Sequence, residues 1–270
     1  MNIDKRILIA AGIIGSLLLI WFIWPKGSSQ GSAGNSKKSV QELYTQAVNL
    51  RNNGQLSEAK EAYQTILREY PDYEKIEAIE KESEELNMKI IFSNLPVPQS
   101  IIHEAQNGDT LGALAQKYHT TVEFIKKSNY LASDNIRAGQ KLRVWTGSFN
   151  IFVDKSQNIL ILKDGDEVVK VYKVATGANS STPIGNFKIT TKLIDPVWFN
   201  KGMVVPPESP QNVLGSRWLG FDLPGYGIHG TTEPDTIGRQ ATAGCVRMLN
   251  SEVEELYTLI PLGTSVVIVD

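Results

Sequence analysis

The sequence predicts a multidomain α+β chain, and three observations carry that prediction. An unbroken apolar run, Ile7 to Trp24, stands near the start. Apolar residues at helical spacing then recur from Ser39 to about Phe92. From Ser148 onward the pattern changes to short strands punctuated by turn residues, with a small mixed module in between. A chain of 270 residues exceeds the usual single-domain size, which agrees with several modules.

The apolar run is 18 residues long, or about 27 Å as a helix, roughly one hydrocarbon thickness. Trp21 and Trp24 sit at its outer end, as in an interfacial aromatic belt. It reads as an uncleaved single-pass anchor, with residues 1–24 forming a cytoplasmic tip and membrane helix. A secretory signal cut near Ser32–Gly34 is the competing reading. Lys5 and Arg6 precede the run and Lys26, Lys37 and Lys38 follow it, so charge does not fix the orientation. Residues 25–38 are Gly/Ser-rich and read as a flexible tether.

Residues 39–92 predict helices. Leu43, Ala47 and Leu50 line one face, Gly54 interrupts, and Ala59, Tyr63, Ile66 and Leu67 line a second helix that Pro71 ends. A third helix is expected from Asp72 to Phe92. The first two resemble one tetratricopeptide repeat, which buries its own face poorly, so a protein partner and a plain spacer are both open.

Residues 100–145 predict strand, helix, helix, strand. Asp109 or Thr110 caps the first helix, whose stripe is Leu111, Leu114, Ala115 and Tyr118; Thr121 opens the second; Lys141–Trp145 is the closing strand. Gly108 to Leu111, Ala115, Tyr118, Asn129, Ile136 and Gly139 to Leu142 resemble a LysM domain. The resemblance implies binding of N-acetylglucosamine-containing glycan around Gly108, Asp109, Thr110, Leu111, Asn135 and Ile136. His103 and His119 receive no role.

Residues 148–270 predict a mainly β sandwich or partial barrel. Expected strands are Asn150–Val153, Ile159–Leu162, Glu167–Val174, Phe187–Thr191 and Ser265–Val269. Ser251 and Glu254 have capping-box spacing for one helix that buries Leu256, Leu259 and Ile260 and stops at Pro261.

Formal net charge is −2, which gives nucleic-acid binding no electrostatic footing. One cysteine excludes an intramolecular disulfide. Zinc is poorly served by one Cys and three His spread over two modules, and no cofactor or metal is expected. Cys245 follows Gly244, and His229 lies 16 residues upstream beside Gly230. An imidazole that takes the thiol proton makes a nucleophile, whereas a lone cysteine by itself reads more often as a small buried hydrophobe. Amides at Gly244 and Cys245 are candidates for holding an oxyanion.

Around these two residues the pattern His229-Gly230, then Thr242, Gly244, Cys245 and Arg247, resembles the catalytic domain of the YkuD-type L,D-transpeptidases. Ala175 to Gly177, Thr182 to Phe187 and Asp195 to Trp198 follow the same family order. The resemblance implies Cys245 as nucleophile and His229 as base, the Gly230 carbonyl orienting the ring, and Gly244 in the oxyanion hole. Arg247 falls to substrate binding or loop shaping and Thr242 to substrate binding, and Trp198 reads as lining a substrate cleft or as core packing. It further implies that peptidoglycan stem peptides are acyl donors for 3→3 cross-links, in a cell-envelope protein whose catalytic domain lies outside the cytoplasmic membrane. An L,D-carboxypeptidase and a non-catalytic wall-binding scaffold are the alternatives.

Overall fold

The computed structural model describes residues 39–200 and 202–270. The apolar run and the tether lie outside the described residues. Among the described residues no helix is long and apolar enough to cross a membrane. Two compact units are present, 39–87 and 88–270.

In the first unit α1 (Val40–Asn52) and α2 (Leu56–Glu69) lead into α3 (Ile76–Ile91). A capping box starts α1: Ser39 Oγ accepts from the Glu42 amide, and the Glu42 carboxylate accepts from the Ser39 amide at 2.8 Å. Gly54 then turns the chain at φ +78°, where a side chain would be strained. The expected apolar stripe is buried at Ala47, Ala59, Tyr63 and Ile66. The third helix starts at Ile76 rather than Asp72, because two turns, Tyr70 to Tyr73 and Tyr73 to Ile76, occupy the intervening residues. Its Glu82 accepts from Tyr44, Arg51 and Tyr63 at 2.7–2.9 Å, so one carboxylate joins all three helices.

The second unit begins its ordered strands with β1 (Ser100–Glu104), α4 (Leu111–Lys117), α5 (Val122–Ser128) and β2 (Lys141–Trp145). β1 and β2 pair antiparallel, Ser100 opposite Trp145. Thr110 and Thr121 cap the two helices. Leu111, Leu114, Ala115, Ile125, Leu142 and Val144 fill a small core. This module packs directly on the C-terminal β region. Phe124 meets Trp145 and Phe149 at ring distances of 5.9 and 6.1 Å, and Thr121 Oγ1 donates to the Thr258 carbonyl. Arg143, only 2% exposed, donates to the carbonyls of Ile91 and Ser93, both at 2.7 Å.

The remainder forms β3 (Phe149–Asp154), β4 (Ile159–Asp164), β5 (Glu167–Lys173), β6 (Thr176–Gly177), β7 (Gly185–Ile194), β8 (Trp198–Asn200), β9 (Met203–Val205), β10 (Arg217–Phe221), β11 (Gly227–His229), β12 (Gln240–Thr242), β13 (Val246–Arg247), α6 (Asn250–Leu259) and β14 (Ser265–Val269). Eight strands make one mixed sheet in the order β13-β11-β10-β7-β14-β3-β4-β5. The β11–β13 and β14–β3 pairs are parallel. Just past β5, at one edge, Ala175 exchanges two 2.8 Å hydrogen bonds with Arg247 of β13, at the other edge. The sheet therefore curls towards closure, nearer the expected partial barrel than a sandwich.

Every expected strand is present. The short strands between residues 198 and 247 have too few residues for alternation to register. The helix departs from expectation at its start. It begins at Asn250, one residue before Ser251, and Leu249 at the N-cap makes no side-chain cap bond. Ser251 is thus already inside the helix, and the capping box does not form. Val253, Leu256, Leu259 and Ile260 are buried under the sheet as the periodicity requires.

Candidate active site

Parallel pairing of β11 and β13 sets Ile228 beside Val246 and His229 beside Arg247. Cys245 immediately precedes β13, so continuing the register sets it beside Gly227. Residues two apart on a strand share a face, which puts Cys245 and His229 on the same face of the sheet, one step apart. The thiol is partly exposed.

His229 is 3% exposed. Its Nδ1 lies 2.7 Å from the Gly230 carbonyl, an acceptor, so Nδ1 carries the hydrogen and Nε2 of the neutral ring keeps its lone pair. The Trp218 indole stacks on the ring at 6.0 Å and 20°. Burial pushes the imidazole pKa down to about 4; the Gly230 carbonyl and the Leu214 backbone oppose this and the nearby Arg247 cation adds to it. Burial likewise pushes the Cys245 thiol up, against smaller opposing effects from the Gly227 backbone and Arg247. Both groups are therefore neutral at pH 7. The thiol does not hydrogen-bond the imidazole; Sγ donates to the Gly225 carbonyl at 3.5 Å. With a weakly basic ring and a weakly acidic thiol, nothing drives an ion pair before substrate arrives.

The loop carrying the thiol is held by Thr242, whose hydroxyl donates to the Cys245 carbonyl at 2.6 Å and accepts from the Gly244 amide at 3.1 Å. This corrects one expectation. The Gly244 N–H is taken up by Thr242, so it does not point into an oxyanion hole, and the Cys245 amide is the remaining donor of that pair. Gly244 has φ +133°, and a Cβ there would lie 2.7 Å from Tyr226 Cε1 and 3.1 Å from the Ser181 carbonyl oxygen. Glycine is required by conformation and by space.

Arg247, 5% exposed, turns its guanidinium to Glu233 at 2.6 Å and Thr236 at 3.0 Å. Both contacts come from one guanidinium nitrogen and tie Arg247 to the segment between His229 and Cys245. Trp198 is half-buried on the separate β8–β9 hairpin, whose Phe199, Met203 and Val204 are exposed. In the small module Gly108, Thr110 and Asn135 are exposed, whereas Leu111 is buried and Ile136 packs on the core, so these last two shape the loops rather than face a ligand. The Asp109 carboxylate accepts from the Gln106 amide at 2.8 Å and meets His103 Nε2 at 2.9 Å; His103 Nδ1 meets Tyr118 Oη at 3.0 Å.

Sequence reasoning missed Asn250 and Glu233. The Asn250 side chain accepts from the Ser216 and Thr231 amides and donates to the Thr231 carbonyl at 2.9–3.1 Å, fixing the turn after His229. Neither residue lies in a motif; only the fold brings them to the site.

Residues 148–268 match the family described as the L,D-transpeptidase catalytic domain (YkuD), and residues 103–145 match the LysM domain family. The putative L,D-transpeptidase YqjB of Bacillus subtilis (strain 168) is 41% identical over 126 residues, spanning 44% of this chain and 70% of that protein. The putative L,D-transpeptidase YkuD of Bacillus licheniformis is 30% identical over 174 residues, spanning 62% of this chain and 97% of that protein. Among solved structures, an L,D-transpeptidase from Mycobacterium smegmatis aligns over 49% of this chain and 64% of its own at a TM-score of 0.40 and 16% identity. The chain belongs to the L,D-transpeptidase family and carries a LysM domain ahead of its catalytic domain.

Proposed function

We propose that this enzyme forms 3→3 cross-links in peptidoglycan through a thioester on Cys245. The observation that carries the reading is a neutral imidazole, with Nδ1–H fixed by a backbone carbonyl, on the same sheet face as a partly exposed thiol. Sγ attacks the carbonyl of the third, diamino residue of a tetrapeptide stem while His229 Nε2 takes the thiol proton. With burial making the ring a weaker base and the thiol a weaker acid, attack and proton transfer occur together. The Cys245 amide stabilises the oxyanion, and His229 returns the proton to the departing D-Ala amine. A side-chain amine of a second stem then resolves the thioester. Water in its place gives L,D-carboxypeptidase activity.

The LysM domain (residues 100–145) holds glycan strands through the exposed loops at Gly108–Thr110 and Asn135. Packed directly on the catalytic domain (residues 148–270), it raises the local concentration of stems. The apolar run at residues 7–24 anchors the chain in the membrane, residues 25–38 give reach, and residues 39–92 serve as spacer or partner site, with catalysis on the outer side of the cytoplasmic membrane.

Mass spectrometry of products from a disaccharide-tetrapeptide tests the reaction. Cross-linked dimers are expected; tripeptides alone would give the carboxypeptidase reading, and no turnover of either kind would give the scaffold reading.

A further inference from the structure

Lys155 is a buried cation that takes no part in the thiol–imidazole chemistry. It follows β3 directly and is 2% exposed. Its Nζ donates to the Ser180 carbonyl at 3.3 Å and lies 3.5 Å from the Asp270 carboxylate, which is itself 67% exposed. An ammonium out of water is costly without partners, so its position is tied to that carbonyl.

Ser180 belongs to an unusual turn. Asn179 and Ser180 both have positive φ, +53° and +57°. Two consecutive non-glycine residues in the left-handed region cost free energy and persist only when the surroundings hold them. What the turn touches is the thiol loop. β6 pairs with β12, Thr242 beside Gly177. A Cβ on Gly177 would lie 3.0 Å from the Gly244 Cα, and the Ser181 carbonyl faces Gly244 from the same segment. Inside the turn the Gly177 amide donates to Thr182 Oγ1 at 2.7 Å. The chain of contact runs from the Lys155 ammonium through Ser180 and Ser181 to Gly244, one bond from the Cys245 amide.

We propose that Lys155 is a positioning residue for acylation of Cys245, its ammonium holding the left-handed Asn179–Ser180 turn against the Gly244 loop. The proposal rests on the reading of Cys245 as nucleophile. Without the ammonium the turn relaxes, Gly244 gains freedom, and the Cys245 amide no longer waits in the direction the oxyanion needs. The thiol itself is untouched.

Lys155→Met keeps most of the aliphatic stem and removes the charge. The full chain is acylated with imipenem under mass spectrometry, with the maximal acylation rate and the half-saturating concentration measured separately. In acylation the Sγ–C bond forms, the lactam C–N bond breaks, and the thiol proton passes to the lactam nitrogen. The maximal rate is expected to fall about 10-fold or more, with the half-saturating concentration within about 2-fold. Alkylation of Cys245 by iodoacetamide, which needs no oxyanion donor, is expected to keep its wild-type rate. Should Lys155→Met fail to fold, Asn179→Val, a β-branched residue poorly tolerated at φ +53°, disturbs the same turn while leaving the ammonium in place, and the same selective loss is expected. Wild-type acylation rates in the folded variant, or a parallel loss of alkylation, would overturn the role of Lys155 alone. A wild-type chain that forms no adduct would overturn the Cys245 reading and this proposal with it.

Discussion

Two histidines of this chain are held by opposite kinds of partner. His103, on β1 of the LysM domain, sits between a carboxylate, Asp109, and a phenol, Tyr118. His229, on β11 of the catalytic domain, has a backbone carbonyl on Nδ1 and no counter-ion among its hydrogen bonds. The difference separates a ring braced by side chains from one held by the backbone. The carboxylate and the phenol together tie the His103 ring into its loop. At His229 the backbone at Gly230 and Leu214 favours the charged ring, but burial outweighs it and keeps the ring neutral.

The largest effect expected from breaking this contrast is at His229. His229→Gln should lower the acylation rate of Cys245 by about 10³-fold, the scale of a lost general base, measured as imipenem adduct formation by mass spectrometry. A second effect, about 10- to 100-fold in the same assay, is expected for Thr242→Val. That change keeps the shape but removes the hydroxyl joining the Gly244 amide to the Cys245 carbonyl.

The depressed imidazole pKa also has a stability consequence. The unfolded His binds a proton near pH 6.5 and the folded one only near pH 4, so the unfolded state holds more protons in that window. Stability contributed by the neutral ring is present above about pH 6.5 and is lost as pH falls towards about 4, by up to about 3 kcal/mol. Thermal unfolding between pH 7 and 4 should show a decline that is shallower in His229→Gln. At His103 the effect is smallest. His103→Ala frees the Asp109 loop and should weaken chito-oligosaccharide binding about 5-fold by calorimetry, leaving acylation unchanged. Loss of acylation there would erase the division between the two histidines.

Much of the fold was legible because it depends on local pattern. The stripe Ala47, Ala59, Tyr63 and Ile66, the caps at Thr110 and Thr121, and the meander from Phe149 to Lys173 all follow from spacing. What was not legible depends on distant groups. Ser251 and Glu254 carry the same spacing as Ser39 and Glu42, yet only the first pair caps a helix. At the second, Asn250 opens the helix while its amide holds the turn after His229, a tertiary demand invisible in a window of four residues. Cys245 and His229 were legible through their motif. The commitment of the Gly244 amide to Thr242, and of Arg247 to Glu233, was not, because hydroxyl and guanidinium partners leave no periodic trace.

The resting protonation state of Cys245 is best read from its rate of alkylation by iodoacetamide between pH 5 and 10. A thiol raised by burial beside a neutral ring predicts slow reaction through neutrality and a rise only above the ordinary thiol range. A fast plateau between pH 5 and 8, lost in His229→Gln, would reveal a preformed thiolate–imidazolium pair and contradict concerted attack and proton transfer.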